Sequence, residues 1–143
     1  MSTPRPTIAV GAVVFDDRGR VLLIQRGHAP AAGLWTVPGG RVELGESLAA
    51  AVEREVIEET GIAVTCGALI EVIERITTEG DATWHYVILD YLAHAAPGQG
   101  APVKGDDAAD VRWFGIDELE VTPLTHGLLP VIDKARRQAG DAG

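Results

Sequence analysis

Between Glu43 and Glu59 the chain sets six glutamates (Glu43, Glu46, Glu53, Glu55, Glu58 and Glu59) against a single arginine, Arg54. That short run carries −5 of the net −9 of the whole chain. Pro38-Gly39-Gly40 precedes it and Gly61 follows it. Leu48–Thr60 is rich in Ala, Glu and Val. Ser47 is placed to cap its start and Gly61 to stop it, so this stretch predicts a helix. At about 100° per residue, Leu48, Val52 and Val56 form an apolar stripe facing a core. Glu55 and Glu59 fall within about 20° of Leu48, and Glu58 flanks the stripe. A solvated face belongs on the opposite side, where Arg54 falls with Glu53 near its edge.

That placement is costly. Carboxylates at i, i+3 and i+4 repel one another. They lie near the helix C-terminus, where the macrodipole disfavours negative charge. Partial burial adds desolvation. Two readings follow: the acids face water on a surface helix, or a divalent cation sits among them. Carboxylate oxygens suit Mg²⁺ or Mn²⁺, and the segment has no Cys or His of the kind zinc favours. Pro38 fixes φ and lacks an N–H. Gly39 and Gly40 allow close backbone approach and expose their carbonyls, so Pro-Gly-Gly is either a plain turn or a turn presenting a carbonyl to the same cation.

The 143 residues suit one domain, 1–143, with Met1–Thr7 as a loose lead-in. Arg5 followed by Ile8–Phe15 resembles a signal peptide, but the apolar run enters Asp16-Asp17 without a cleavage site and reads as a strand. No apolar run is long enough to span a bilayer. The single Cys66 excludes an internal disulfide and reads as a buried, inert thiol. A cytoplasmic protein is expected. The acidic balance excludes an unaided grip on nucleic acid. Ile8–Phe15 and Val21–Gln25 read as a hairpin, and Leu34–Val37 as a short extended piece ending at the Pro-Gly-Gly. Ile62–Ile76, interrupted at Gly67, and Thr83–Leu92 read as strands joined at Glu79-Gly80-Asp81. Ala95–Asp110 reads as a long loop, Val111–Phe114 as a strand, Asp117–Leu119 as a helical turn and Thr125–Arg137 as an amphipathic closing helix. Mixed strands and two helices indicate an α/β layer structure.

Gly40, five residues, Glu46, seven residues, Arg54-Glu55-Val56, Ile57, Glu58-Glu59, Thr60, Gly61-Ile62 resembles the Nudix box at every fixed position. "GLWTVPGG" and "VRWFGIDEL" also look like the family. The resemblance implies the Nudix fold, an α/β (α+β) arrangement with a mixed β-sheet sandwiched between helices. It implies a MutT-like hydrolase of a nucleoside diphosphate linked to another moiety, working with Mg²⁺ or Mn²⁺. By position, Glu55, Glu58 and Glu59 match the metal-binding glutamates, and Gly40 the glycine whose carbonyl joins them. Glu46 and Arg54 match the pair that braces the loop and helix. Glu43 is not a fixed position; it serves beside the site or is a surface acid.

Such a site brings an anionic pyrophosphate to an anionic cluster through cations, with Glu59 or Glu58, or an acid from a loop outside the box, accepting a proton from water. Asp106, Asp107 and Asp110 precede a late strand, and Asp107 is the first choice for that extra acid. Trp35 and Trp113 read as core residues. Trp84 and Tyr86, with His85 between them, offer aromatic faces for a base or pack a core or subunit interface. Arg26 and His28 stand near the loop leading to the box, facing either substrate phosphate or water. His126 reads as a polar helix start. The general likeness of "GDDAADVRWFGIDEL" and "HYVILDYLAH" favours a small-molecule nucleotide substrate, ADP-ribose or an ADP-sugar. The alternatives are an oxidised nucleoside triphosphate and, outside catalysis, a nucleotide-binding module. Related short proteins dimerise, which makes Trp84–Leu92 a candidate homodimer interface.

Overall fold

The computed structural model describes residues 5–142. Of the expected lead-in, residues 1–4 lie outside the described residues, while Thr7 already belongs to the first strand. Seven strands and two α-helices follow. They are β1 (Thr7–Phe15), β2 (Val21–Arg26), β3 (Trp35–Thr36), β4 (Gly39–Arg41), α1 (Leu48–Thr60), β5 (Val64–Glu79), β6 (Ala82–Ala95), β7 (Ala108–Phe114) and α2 (Leu128–Ala142), with a 3-10 helix at Ile116–Val121 before α2. No helix among the described residues is long and apolar enough to cross a membrane.

All seven strands join one mixed sheet in the order β3-β2-β1-β6-β5, with β4 also on β1 and β7 also on β2. β1 runs parallel to β6 and antiparallel to β2 and β4. The β1–β2 turn is held by Asp16, whose Oδ1 accepts from the Arg18 and Arg20 amides and whose Oδ2 accepts from Arg20 Nε. The expected hairpin is nonetheless paired only at Phe15–Val21. Beyond that point the strands splay: β1 receives β4, and β2 receives β3 and β7.

Alternation along the central strands builds two cores. Val13, Val21, Leu23, Phe114 and Leu92 face Leu128, Val131, Ile132 and Ala135 of α2. Val10, Ala12, Val14, Leu22 and Ile24 face Ala51, Val52 and Val56 of α1. The sheet is therefore covered on both sides, as expected for this fold class. Trp35 packs edge-on against Phe114, with ring centroids 4.8 Å apart. Trp113 is half-buried against the α1-side core.

Several local expectations needed adjustment. Pro-Gly-Gly is not a free turn, because Gly39 and Gly40 already pair with β1. The β5–β6 hairpin is longer than its sequence signals and runs to Glu79 and Ala82. Gly67 bends β5 through register shifts without ending it, as a β-carbon there would lie 2.8 Å from the Leu92 carbonyl. β7 begins at Ala108, inside the expected loop. The closing helix begins at Leu128, after Gly127 at φ 79°, so His126 precedes it. Cys66 is half-buried, not buried, and desolvation with the nearby Glu53 charge pushes its thiol pKa up.

Candidate functional site

Helix α1 is fixed at both ends by its own sequence. Ser47 Oγ accepts from the Ala50 amide, 3.1 Å away, and Gly61 takes the left-handed conformation at φ 72°. Val52 and Val56 bury its apolar stripe against β1. This turns Glu55 and Glu59 toward β4, half-buried, and leaves Glu58 and Glu53 exposed. Glu53 is engaged on its own side, accepting from the Cys66 amide.

Glu59 is the most desolvated of these acids. Burial, with Glu55 and Asp107 adding to it, pushes its carboxyl pKa up to about 7, although the Gly39 amide donates to its Oε1 at 2.6 Å and Arg26 opposes the shift. Burial also raises Glu55. Gly40 packs directly against Glu55: a β-carbon at Gly40 would sit 2.5 Å from the carboxyl carbon. Glycine at this position leaves the carboxylate beside bare backbone.

Arg54 gathers the acids around the loop–helix junction. Its Nε donates to Glu46 Oε2 at 2.6 Å and its Nη2 to Glu46 Oε1 at 2.9 Å, a bidentate pair. Its Nη1 donates to Glu55 and Glu58 at 2.7 and 3.3 Å, and its Nη2 also reaches the Arg41 carbonyl. Hydrogen bonds from Arg54, then from the Glu43 amide, hold Glu46 down at about 2. Glu43 itself is exposed, 3.8 Å from the guanidinium.

The loop before β7 docks onto the end of α1. The Val103 amide donates to the Thr60 carbonyl at 2.8 Å and the Gly105 amide to the Glu59 carbonyl at 3.0 Å, meeting carbonyls that a helix end leaves unpaired. A β-carbon at Gly105 would lie 2.7 Å from the Glu58 carbonyl oxygen, so this approach also needs glycine. It carries Asp107 into the surroundings of Glu59, whereas Asp110 caps the Val111 amide.

One cleft of about 860 Å³ opens between these elements. Gly40, Glu55, Glu58, Glu59, Arg54, Asp107, Arg26, His28, Trp84 and Tyr86 line it; Glu46 stands behind Arg54. His28 is exposed, and Arg26 closes the Gly27–Gly33 loop by donating to the Pro30 carbonyl. By donor type, the carboxylates and the Gly40 backbone fit a hard divalent cation. As the side chains stand, no three His, Cys, Asp or Glu among the described residues converge on one point. Glu55 and Glu58 turn toward Arg54, and Glu59 toward the Gly39 amide. Two further features of the cleft, Asp90 in its floor and the glycine at position 11 beside it, were not singled out from sequence. The signal was present in Asp90, the one acid in the apolar run Tyr86–Leu92.

Residues 5–135 match the model of the NUDIX domain. The chain is 31% identical over 121 residues to the ADP-ribose pyrophosphatase of Methanocaldococcus jannaschii, covering 85% of this chain and 69% of that one. It is 27% identical over 150 residues to a putative 8-oxo-dGTP diphosphatase of Bacillus subtilis, covering 90% and 94%. The structure is similar to that of a MutT NUDIX hydrolase from Burkholderia pseudomallei, with a TM-score of 0.77 and 38% identity over 91% of this chain and 98% of that one. Taken with the box residues gathered on one cleft, these likenesses show that the chain belongs to the Nudix family and is a hydrolase of the pyrophosphatase type.

Proposed function

We propose that the cleft hydrolyses the pyrophosphate of a nucleoside diphosphate linked to a second moiety, with ADP-ribose or an ADP-sugar as substrate. The observation that carries this reading is a desolvated carboxylate, Glu59, anchored to the Gly39 amide and sharing one cleft with Glu55, Asp107, Trp84 and Tyr86. The M. jannaschii relative supports the choice of substrate.

Nudix hydrolases work with divalent metal ions. Here the Gly40 carbonyl, Glu55, Glu58 and Glu59 are the groups assigned to hold Mg²⁺ or Mn²⁺, which when bound neutralises pyrophosphate oxygens and acidifies a water. Glu46 and Arg54 keep the box loop and α1 in register. Glu59, held by the Gly39 amide at the cleft, is placed to accept the proton of the attacking water, with Asp107 near it as the second acceptor. The water oxygen bonds to one phosphorus in line as the bridging P–O bond breaks, and two phosphate monoesters leave. Arg26 and His28 face the phosphates, and Trp84 and Tyr86 the base. The B. subtilis relative favours a second reading, hydrolysis of an oxidised nucleoside triphosphate.

A hydrolysis screen in Mg²⁺ over ADP-ribose, ADP-sugars, dinucleotides, and normal and oxidised triphosphates tests both. The expected result is strongest turnover on ADP-ribose or an ADP-sugar, reduced about 10²–10⁴-fold by Glu59→Gln. Nucleotide bound but never cleaved by the wild type would sink the assignment. The reading includes a homodimer formed through the outer face of β5 and β6, supported by Val72 and Ile76 standing 54% and 61% exposed there. A monomer by light scattering removes that part.

A further inference from the structure

Asp90 has no part in the chemistry proposed above. It lies in β6 with 3% of its surface exposed, and it lines the same cleft. Among the described residues no N–H or O–H donates to its carboxylate. Arg75 and Glu71 are the charges near it. Both are otherwise engaged: Arg75 donates to the His126 carbonyl, and Glu71 accepts from Lys134 Nζ at 2.9 Å. Burial pushes the Asp90 carboxyl up to about 6. No side-chain oxygen among the described residues is both fully buried and without a partner, so the Asp90 carboxylate opens on the cleft, where water serves it in the empty protein. A ligand that displaces that water must bring a donor of its own or leave the acceptor unpaired, which is how such groups confer strong selectivity.

The surrounding backbone keeps that acceptor open. A β-carbon at Gly11 would lie 2.2 Å from Asp90 Oδ1 and 3.3 Å from Val37 Cγ2. Only glycine leaves the carboxylate where it stands. Asp90 sits beside Gly11 of β1, and Gly11 sits beside Gly39 of β4, whose amide anchors Glu59. Asp90 is thus two strand spacings, about 10 Å, along one row from the anchor of Glu59. The two glycines put no side chain across that row. Tyr86 and Ile88 alternate onto the same face of β6 and line the same cleft.

We propose that Asp90 is a specificity-determining residue that accepts a hydrogen bond from the donor edge, an exocyclic amine or a ring N–H, of the substrate's nucleobase. The inference rests on the nucleotide substrate proposed above. An ionised carboxylate only accepts, so it pairs with the amine of adenine or the N–H edge of guanine and rejects a base edge that carries acceptors alone.

Equilibrium binding of nucleoside monophosphates separates this from catalysis. The probes are AMP, IMP, GMP, purine riboside 5′-monophosphate (whose base edge has no donor) and ribose 5-phosphate, measured on wild type and on Asp90→Ala, which removes the acceptor. Wild type is expected to bind at least one of AMP, IMP and GMP about tenfold more tightly than purine riboside 5′-monophosphate. Asp90→Ala is expected to erase that preference, with ribose 5-phosphate affinity unchanged as the sign that the cleft is intact. Equal binding of purine riboside 5′-monophosphate and the donor-bearing bases, or a preference that survives in Asp90→Ala, overturns the inference and leaves the nucleotide reading standing. No binding of any nucleotide, together with no turnover in the hydrolysis screen, removes the nucleotide reading and the inference with it.

Discussion

Arg54 reaches Glu46, Glu55 and Glu58 at once, with Glu43 more distant, and the acids it touches differ in burial. Glu46 has a folded pKa of about 2 against an ordinary 4.5. A depressed carboxylate stabilises the fold above its unfolded pKa and loses that contribution as pH falls through the folded value. The urea midpoint of wild type should therefore exceed that of Glu46→Gln near neutral pH, and the gap should shrink between about pH 4.5 and about pH 2. A gap that stays constant over that range contradicts the ion pair. Glu59 behaves in the opposite sense, with its folded pKa raised to about 7. Its contribution is fully present below about pH 4.5 and lost as pH rises through about 7. In metal-free solution Glu59→Gln should flatten the fall in midpoint over that window, and denaturant titration in chelator would show it. The sequence disclosed which acids lie on the core side of α1 from periodicity alone. It did not disclose that Glu58 stays exposed, because the angle around a helix does not say how high the neighbouring strands rise.

At the scale of elements, the bounds of α1 follow from its own residues. Ser47 and Gly61 act locally, and both were legible at the correct positions. Gly61→Ala should cost about 1 kcal/mol, since φ 72° strains any β-carbon while its nearest neighbour, at 3.6 Å, leaves room. Gly39→Ala is a different case. Its β-carbon would lie 2.1 Å from the Val10 carbonyl oxygen, which forces β4 off β1 and carries the Gly39 amide away from Glu59. Turnover should fall at least about tenfold in Gly39→Ala and stay near wild type in Gly61→Ala; thermal melts and kcat on one substrate distinguish them. The strands were less legible than the helix. The lengths of β5 and β6 come from pairing with each other, and β7 starts early because β2 supplies a partner at Arg26. Neither cause is visible in a local window.

For the whole molecule, the sheet divides two cores. Leu22 and Ile132 are both fully buried, on the α1 and α2 sides respectively. Leu22→Ala and Ile132→Ala should each destabilise by about 2–5 kcal/mol. The double variant should match their sum within about 0.5 kcal/mol, because the two sites share no partner across the sheet. Denaturant unfolding of the three variants checks this, and strong coupling would argue against two separate cores. The sequence by itself determined the helix, its caps, the acid cluster and the family, because each is written in neighbouring residues at helical spacing. Only the tertiary structure decided that Gly39, Gly11 and Asp90 lie in one row leading to Glu59, and that the Gly105 loop sets Asp107 beside it. Those neighbours meet through strand pairing and loop docking between distant parts of the chain, and no periodicity records such pairings.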